Sequence, residues 1–309
     1  MNKTFVIAEI GINHGGNLRI AKRLIDSAVR ADVNAVKFQT YITEKRVKKT
    51  SPIFNILKEC ELSFKDFEIL KNYSDKKKIE FMSTPFDLES FKFLNEIKVS
   101  KIKIASFDTV NLKFLKEISN YNKEFIMSVG MSKLAEIKKA YNILKKNRKN
   151  KVSLLHCISS YPTLEKDANL NCIKKLKETF NCTVGQSDHT NDIFVPFCAV
   201  AMGAAIIEKH FMIDKNMKCV DKPVSITENQ MAELVKKIKR YESTLGSNFM
   251  GIRSTEKSTK IFRRFSWHII NFFSIFFKEI NGSVSKNLKI MKLLSDEKVS
   301  YIIKNKYKI

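Results

Sequence analysis

The sequence lacks the features that mark an exported or membrane-spanning chain. Its six cysteines include no Cys-X-X-Cys pair, and several stand inside apolar runs, which favours reduced thiols over a disulfide framework. The N-terminal residues 1–11 (MNKTFVIAEIG) enter a strand-like run at once, without the layout of a signal peptide. No apolar run reaches the roughly 18–20 residues that span a bilayer, and the run at 265–277 is too short. These absences predict a cytoplasmic protein with no transmembrane segment.

Acidic residues are scarce relative to basic ones. The 309 residues include 56 Lys and Arg against 32 Asp and Glu, a formal net charge of +24. Such a balance can indicate nucleic acid or an anionic membrane as a partner. Here the lysines are spread along helix-like segments, and the aromatic and basic repeats of an RNA-binding module are missing. We therefore predict no nucleic-acid partner and interpret the charge as a solvated, lysine-rich surface that favours anionic substrates.

The chain does contain a repeated alternation of strand-like and helix-like segments. Eight short runs rich in Val, Ile and Phe are each followed by a stretch of helical periodicity. The runs are 5–11, 35–40, 80–86, 101–106, 124–130, 152–157, 183–188 and 204–210. Nearly continuous apolar strands that alternate with helices indicate a parallel sheet covered on its outside, and eight such units match a (β/α)8 TIM barrel. A doubly wound sheet is the alternative, but GINHGG at 11–16 is not a G-X-G-X-X-G loop.

Polar residues recur at the C-terminal ends of these runs, which a closed barrel would bring to one rim. They are Glu9, Lys37, Gln39, Ser83, Thr84, Lys103, Ser106, Ser128, His156, 187–189 and 208–210. One buried lysine would be explained by a core ion pair or by a side chain that reaches solvent. Two lysines, two histidines, hydroxyls and an acid on one rim instead predict a site for a ligand with a phosphate and a carboxylate.

Two histidines stand at the ends of neighbouring runs in the segment 183–211. His189 follows the seventh run and His210 ends the eighth. Two imidazoles on adjacent strand ends can hold a divalent metal. The alternative is that they are unrelated surface or core histidines.

Several motifs at these positions carry a family resemblance. They are AEIGINHGG at 8–16, VKFQTY at 36–41, STPFD at 83–87, KIKIAS at 101–106, MSVGM at 127–131, LLHCISSYPT at 154–163, VGQSDHT at 184–190 and IEKHF at 207–211. In this order and spacing, residues 4–246 resemble the sialic acid synthase family, which includes N-acetylneuraminate, legionaminate and pseudaminate synthases. The resemblance implies a homodimeric barrel enzyme that condenses phosphoenolpyruvate with an N-acylated aminohexose to a nine-carbon keto sugar acid and phosphate.

The resemblance also implies roles for individual residues. His189 and His210 match the family's ligands for a divalent metal, usually manganese, with magnesium or cobalt as alternatives. Positions that hold phosphoenolpyruvate correspond to Lys37, Thr84, Lys103, Ser106, Ser128 and Ser187, and Ser159 could add a phosphate donor. Positions that face the sugar or a metal-bound water correspond to Glu9, Gln39, Tyr161 and Asp221. Lys37 and Lys103 would neutralise the phosphate and carboxylate, and either Glu9 or Asp221 would handle the proton.

The sequence departs from the family most clearly near its C-terminal end. Family members usually carry an antifreeze-like domain that lends an arginine to the neighbouring subunit. Residues 253–266 are similar to the linker into that domain, but no match to the arginine loop follows. We expect a barrel at 1–250 and a linker with a divergent or truncated segment at 251–309. The segment between Tyr41 and Phe54 is also shorter than the sugar-contacting loop of several members.

Three other functions stay open at this point. The chain could be another phosphoenolpyruvate-condensing barrel that makes a seven- or eight-carbon keto acid. It could be a Schiff-base aldolase that uses Lys37 or Lys103. It could also be a binding or scaffold protein with a relict site.

Overall fold

The computed structural model describes residues 3–263, in which strands and helices alternate. The strands are β1 (Phe5–Gly11), β2 (Ala35–Thr40), β3 (Glu80–Pro85), β4 (Lys101–Ile104), β5 (Glu124–Ser128), β6 (Lys151–Cys157), β7 (Val184–Asp188) and β8 (Ile206–His210). The helices are α1 (Leu18–Arg30), α2 (Thr43–Arg46), α3 (Phe54–Cys60), α4 (Phe64–Lys76), α5 (Leu88–Glu96), α6 (Leu112–Ser119), α7 (Leu134–Lys145), α8 (Asn171–Thr179), α9 (Phe194–Ala201) and α10 (Glu228–Leu245).

The strands pair in parallel and in sequence order around a closed barrel. β1 pairs with β2 on one side and with β8 on the other, with Glu9 opposite His210 in the second pairing. This closure confirms the predicted (β/α)8 barrel and excludes the doubly wound sheet. The predicted strand limits agree to within two residues. The run at 101–106 ends early because Ser106 begins a 3₁₀ helix (Ser106–Asp108).

A small apolar cluster fills the middle of the barrel. It consists of Ile7, Ala35, Met82, Ile126, Leu155 and Ile206. Successive side chains point to opposite faces of a strand, so the residue two places later points into the same interior. Those residues are Glu9, Lys37, Thr84, Ser128, Cys157 and Glu208. The two-residue period of the strands therefore places a polar layer above the apolar one, at the C-terminal ends.

The larger apolar core lies between the barrel and its helices. It includes Phe38, Phe67, Phe91 and Phe125, each at most 1% exposed. Burial of these large rings is the main stabilising term of the fold. The ring of helices is closed where Arg30 of α1 donates through Nε and Nη2 to the Glu228 carboxylate of α10, at 2.9 and 2.7 Å.

The connection from β2 to α4 has a conformation that the sequence analysis did not predict. It contains the short helices α2 and α3, and both pack close to the C-terminal rim of the barrel. The Tyr41 hydroxyl donates to the Leu57 carbonyl at 2.9 Å, which ties the start of this segment to α3. The segment thereby forms one wall above the barrel.

A second unit begins at Ser247 and is described as far as residue 263. Its described part has two 3₁₀ helices, Ser254–Glu256 and Thr259–Phe262. The predicted divergent segment from 264 onward, including the apolar run at 265–277, lies outside the described residues. Within residues 3–263, no helix combines the length and apolar character needed to cross a membrane.

Candidate active site

A cavity of about 390 Å³ opens at the C-terminal ends of the strands. The predicted site residues that line it are Glu9, Lys37, Gln39, Thr84, Lys103, Ser106, Ser128, Tyr161, Ser187, His189, His210 and Asp221. Ser159 was assigned to the site but does not line the cavity. Its Oγ lies next to Gly130, which also contacts Ser106 of the lining. His156, from the same predicted rim, faces a separate small cavity, where its Nε2 contacts the Ala168 carbonyl at 2.7 Å. The barrel thus brings together residues that are up to 212 positions apart in the chain.

Two lysines and two acids form the floor of the cavity. Lys37 Nζ lies 2.7 Å from Glu9 Oε2 and 3.7 Å from Glu208 Oε2, and it donates to Thr84 Oγ1 at 3.1 Å. Lys103 Nζ lies 3.7 Å from Glu208 Oε1. All four charged side chains are at most 6% exposed. Glu208 therefore stands between two ammonium groups, at distances too long for direct hydrogen bonds.

Burial and neighbouring charges separate the pKa values in this cluster. Burial raises the pKa of Glu208, but Lys103, Lys37 and the Ser187 hydrogen bond outweigh it and lower the pKa to about 2. Burial and the Glu208 charge raise the pKa of Glu9 against the opposing effect of Lys37. Burial and Lys37 lower the pKa of Lys103, whereas the two acids raise the pKa of Lys37. Glu208 is thus a fixed anion, and Glu9 is the acid that takes a proton more readily.

Hydroxyl groups from β5, β7 and the 3₁₀ helix after β4 surround this floor. Ser187 Oγ donates to Glu208 Oε1 at 2.8 Å, and Ser106 Oγ accepts from the Gly130 amide at 3.0 Å. A Cβ at Gly130 would lie 2.6 Å from Ser159 Oγ and 3.0 Å from Ser106 Oγ, so only glycine allows this approach. Ser128 Oγ is buried and has no hydrogen-bond partner among the described residues. A buried hydroxyl without a partner is costly, which suggests that a ligand supplies one.

The two histidines lie side by side at the other side of the cavity, with ring centroids 5.5 Å apart. His189 Nδ1 is 2.7 Å from the Ile158 carbonyl and must donate to it, so Nε2 carries the lone pair. His210 Nδ1 lies 3.3 Å from Asp221 Oδ2. Burial lowers the pKa of His210, but Asp221 and Glu9 outweigh it, so positive charge is favoured at this position.

This arrangement fits a divalent cation. The carbonyl contact that fixes the His189 tautomer is typical of metal-binding imidazoles, and the acids nearby stabilise a cation. Among residues 3–263 no three or more His, Cys, Asp and Glu side chains are grouped so that they could hold a metal ion. Protein donors would therefore leave part of the coordination shell to water or substrate.

Three side chains assigned to the acceptor converge beside Gly11, which has a φ of +54°. A Cβ at Gly11 would lie 3.2 Å from Asp221 Oδ2, 3.3 Å from Glu9 Oε1 and 3.4 Å from Gln39 Nε2. Tyr161 is half-exposed at the mouth, with its ring 4.1 Å from that of His189. This end of the cavity is open to solvent.

Three lining residues with charged or reactive side chains were not assigned roles from the sequence: Glu208, Cys157 and Arg46. The sequence could have indicated Glu208 and Cys157. Each lies two residues after an apolar strand residue that points into the barrel, Ile206 and Leu155, so each points into the barrel as well. No such pattern indicated Arg46, since it lies on α2 in a connection whose conformation the sequence did not predict.

The comparisons agree with this geometry. Residues 24–249 match the NeuB family. An N,N'-diacetyllegionaminic acid synthase from Campylobacter jejuni is 38% identical over 84% of this chain and 81% of that protein. A pseudaminic acid synthase from the same species is 30% identical over 85% of this chain and 80% of that protein.

A solved structure shares both the sequence and the fold. The N-acetylneuraminic acid synthetase of Leptospira borgpetersenii aligns with a TM-score of 0.81 and 40% identity, over 85% of this chain and 92% of that chain. The family match covers most of the barrel, from within α1 to just beyond α10. The resemblance inferred from the motifs is therefore confirmed, and the chain belongs to the NeuB family of sialic-acid-type synthases.

Proposed function

We propose that this protein condenses phosphoenolpyruvate with an N-acylated aminohexose, giving a nine-carbon sialic-acid-type keto acid and phosphate. The observation that carries the proposal is one cavity with two buried lysines and the unpaired hydroxyl of Ser128 on one side and two adjacent imidazoles on the other. The first set suits a phosphate and a carboxylate, and the second suits the carbonyl end of a sugar. The names and sequences of the relatives support the same reaction class.

The lysine cluster would bind phosphoenolpyruvate and stabilise the charges of the reaction. Lys37 and Lys103 face the ligand as ammonium groups, and Ser128 has an O–H group without a partner among the described residues. As C3 of phosphoenolpyruvate attacks the aldehyde carbon, positive charge develops at C2. The fixed anion of Glu208 is buried near the lysines and stabilises that charge without reorganisation. Water then adds at C2, and loss of phosphate completes the reaction.

His189 and His210 would hold the divalent cation, with Asp221 beside them. When bound, the cation acts as a Lewis acid on the aldehyde oxygen of the open-chain acceptor. Oxygen donors suit manganese and magnesium, whereas imidazole donors suit the later first-row metals, so this mixed donor set does not by itself select one metal.

Glu9 is the better candidate for proton transfer. Its pKa is raised by burial and by Glu208, whereas His210 and His189 outweigh burial and lower the pKa of Asp221. A carboxyl that takes up a proton more readily suits proton transfer better than one that is held as an anion. Asp221 instead remains an anion that orients His210 and the acceptor.

One observation favours a second candidate, a Schiff-base aldolase. Burial lowers the pKa of Lys103, and a lowered amine pKa is the usual way to make lysine nucleophilic. Borohydride added during turnover would trap a covalent adduct on Lys103 in that case. An intact mass that is unchanged after borohydride treatment would exclude it.

The proposal is tested by phosphate release from phosphoenolpyruvate with manganese. The acceptors are N-acetylmannosamine and 2,4-diacetamido-trideoxyhexoses. We expect release with at least one acceptor, loss of release with chelator, and loss in His189→Ala and His210→Ala. His156→Gln is the matched control, since His156 faces a different cavity and Gln keeps a donor to Ala168. Retained release by chelated His189→Ala would contradict the metal assignment.

A further inference from the structure

One cation in the cavity has no part in the lysine cluster. Arg46 extends from α2 over the cavity, where its guanidinium carbon lies 3.7 Å from the Phe86 ring centroid and 4.6 Å from that of Tyr41. These two rings also contact each other edge to face, with centroids 6.3 Å apart. Stacking on two rings that are themselves packed holds the plane of the guanidinium in place.

Most N–H donors of the Arg46 guanidinium are not engaged in hydrogen bonds. Arg46 Nη1 donates to Gln39 Oε1 at 3.1 Å, which is its one hydrogen bond among the described residues. Within residues 3–263, no carboxylate lies within ion-pair distance of Arg46. A guanidinium carries five N–H donors, so four are left to solvent or to a ligand at the mouth of the cavity.

The bond to Gln39 also links Arg46 to the reacting centre. Because Arg46 donates to Gln39 Oε1, the amide nitrogen of Gln39 points towards Glu9, with Nε2 at 3.4 Å from Glu9 Oε1. Glu9 in turn pairs with Lys37. One wall of the cavity is therefore a continuous polar strip from the phosphoenolpyruvate end, at Lys37, to Arg46.

The surface next to Arg46 is apolar. Ile53, Ile56 and Leu57 on the α3 side line the same cavity, and Phe86 and Leu57 pack with Tyr41 in one cluster. Ile53 and Ile56 remain 46% and 43% exposed. A fixed fork of N–H donors beside an apolar wall is complementary to an amide carbonyl that carries an alkyl group.

Charge favours a neutral partner for this arginine. Lys37, Lys103 and Arg46 are matched by three lining acids, Glu9, Glu208 and Asp221. Asp221, Asp108 and Glu9 already act electrostatically on the Arg46 charge, so no anionic ligand group is needed to balance it. A carbonyl oxygen accepts charge-assisted hydrogen bonds without adding charge.

We propose that Arg46 binds the acyl carbonyl oxygen of the acceptor sugar, with the acyl alkyl group against Ile53, Ile56 and Leu57. The inference rests on the proposed function and identifies the acyl group as the part of the acceptor that the enzyme recognises. It makes Arg46 a specificity-determining residue that this chain supplies from its own β2–α4 connection.

The test is a cycle of two changes, one in the enzyme and one in the acceptor. Phosphate release is measured for wild type, Arg46→Leu and Arg46→Lys, with N-acetylmannosamine and with mannosamine, which lacks the acyl group. We expect Arg46→Leu to raise the KM for N-acetylmannosamine roughly tenfold to a hundredfold, the range for loss of hydrogen bonds from a charged group. The KM for phosphoenolpyruvate should change little. Arg46→Lys should lie between, since it keeps the charge but loses the planar fork.

The preference for the acylated acceptor shows whether Arg46 binds the acyl group or only supports the structure of the site. If Arg46 only supports Gln39, Arg46→Leu lowers kcat/KM for both acceptors equally, and the proposal is overturned. If it binds the acyl group, the ratio of the two kcat/KM values falls towards one. The control variant is Lys48→Met, an exposed cation just beyond α2, which should match wild type. A wild-type enzyme that releases no phosphate with any acylated acceptor would refute both the proposed function and this inference.

Discussion

Two buried charge clusters meet at the ends of β7 and β8, on opposite faces of the same strands. Glu208 faces the cavity with Lys37 and Lys103, whereas the next residue, Lys209, faces away from it and pairs with Asp188. Lys209 Nζ is 2.7 Å from Asp188 Oδ2 and also donates to the Thr190 carbonyl. Both side chains are at most 2% exposed.

The two clusters differ in how far their polar atoms are satisfied. Around Lys209, Asp188 also accepts from Thr190 Oγ1 at 2.7 Å and from Gln186 Nε2 at 3.2 Å. The inward cluster consists of Glu208, Lys37, Lys103 and the nearby Ser128, which face the cavity. In it, Glu208 Oε2 and Ser128 Oγ are buried without a hydrogen-bond partner among the described residues. The outward pair of Lys209 and Asp188 is therefore complete without a ligand, although the neighbouring Gln186 Oε1 is also buried without a partner in the described part of the chain. The unpartnered atoms of the inward cluster belong to residues that line the cavity. We infer that the outward pair holds the fold together and the inward cluster is kept open for substrate.

The largest expected effect is on the outward pair. Lys209→Met leaves the Asp188 carboxylate buried without its cation, which should lower the free energy of unfolding by about 3–5 kcal/mol. The measurement is urea unfolding at neutral pH. Adding Asp188→Asn to Lys209→Met should recover part of the loss, because the uncompensated charge is then removed. Equal stability of the single variant and wild type would refute the structural role.

In the inward cluster, a substitution should affect catalysis more than stability. Lys103→Met should lower kcat/KM for phosphate release about 10²–10³-fold, the usual cost of removing a group that stabilises developing charge. Its effect on urea unfolding should be smaller than that of Lys209→Met, because Lys103 lies 3.7 Å from Glu208 and its charge is costly to bury. A large stability loss with normal kinetics would reverse the comparison.

Acid should remove the stability that Glu208 contributes. Its pKa is about 2 in the folded protein and 4.5 as an ordinary glutamate, so its ionised form stabilises the fold above about pH 4.5. The advantage of wild type over Glu208→Gln should therefore be full at pH 7 and shrink as the pH falls from about 4.5 towards 2. Unfolding of both proteins across this range measures it, and a constant difference would contradict the assignment.

The smallest expected effect is at Ser128. Ser128→Ala removes a buried hydroxyl without a partner, so stability should stay the same or rise slightly. The KM for phosphoenolpyruvate should increase about tenfold or less, because one hydrogen bond to the ligand is lost. Thermal unfolding and phosphate release on the same preparation give both values. A fall in stability would show that Ser128 has a partner within the protein.

Much of the fold could be predicted from the sequence because its signal is local. Each strand is a short apolar run, and its length and its alternation with helices depend on neighbouring residues. The same local rule placed Glu9, Lys37, Thr84 and Ser128 at strand ends, where a barrel must gather them. The expected roles of these residues, the metal, the homodimer and the cytoplasmic location remain predictions.

The parts that sequence reasoning missed depend on contacts between distant segments. Arg46 reaches the cavity because α2 and α3 fold against Tyr41 and Phe86, which no local pattern indicates. The choice between Glu9 and Asp221 likewise needed their neighbours, since Lys37, Glu208 and His210 set the pKa values of the two acids.

The sequence by itself therefore determined the barrel, its polar rim and the family, since apolar periodicity and strand-end residues are properties of the chain read in order. The tertiary structure alone decided which charges face each other, which hydroxyl lacks a partner and which arginine reaches the cavity. The physical reason is that pKa values and hydrogen bonds depend on distances of a few ångströms between residues far apart in the chain, and those distances exist only once the barrel has closed.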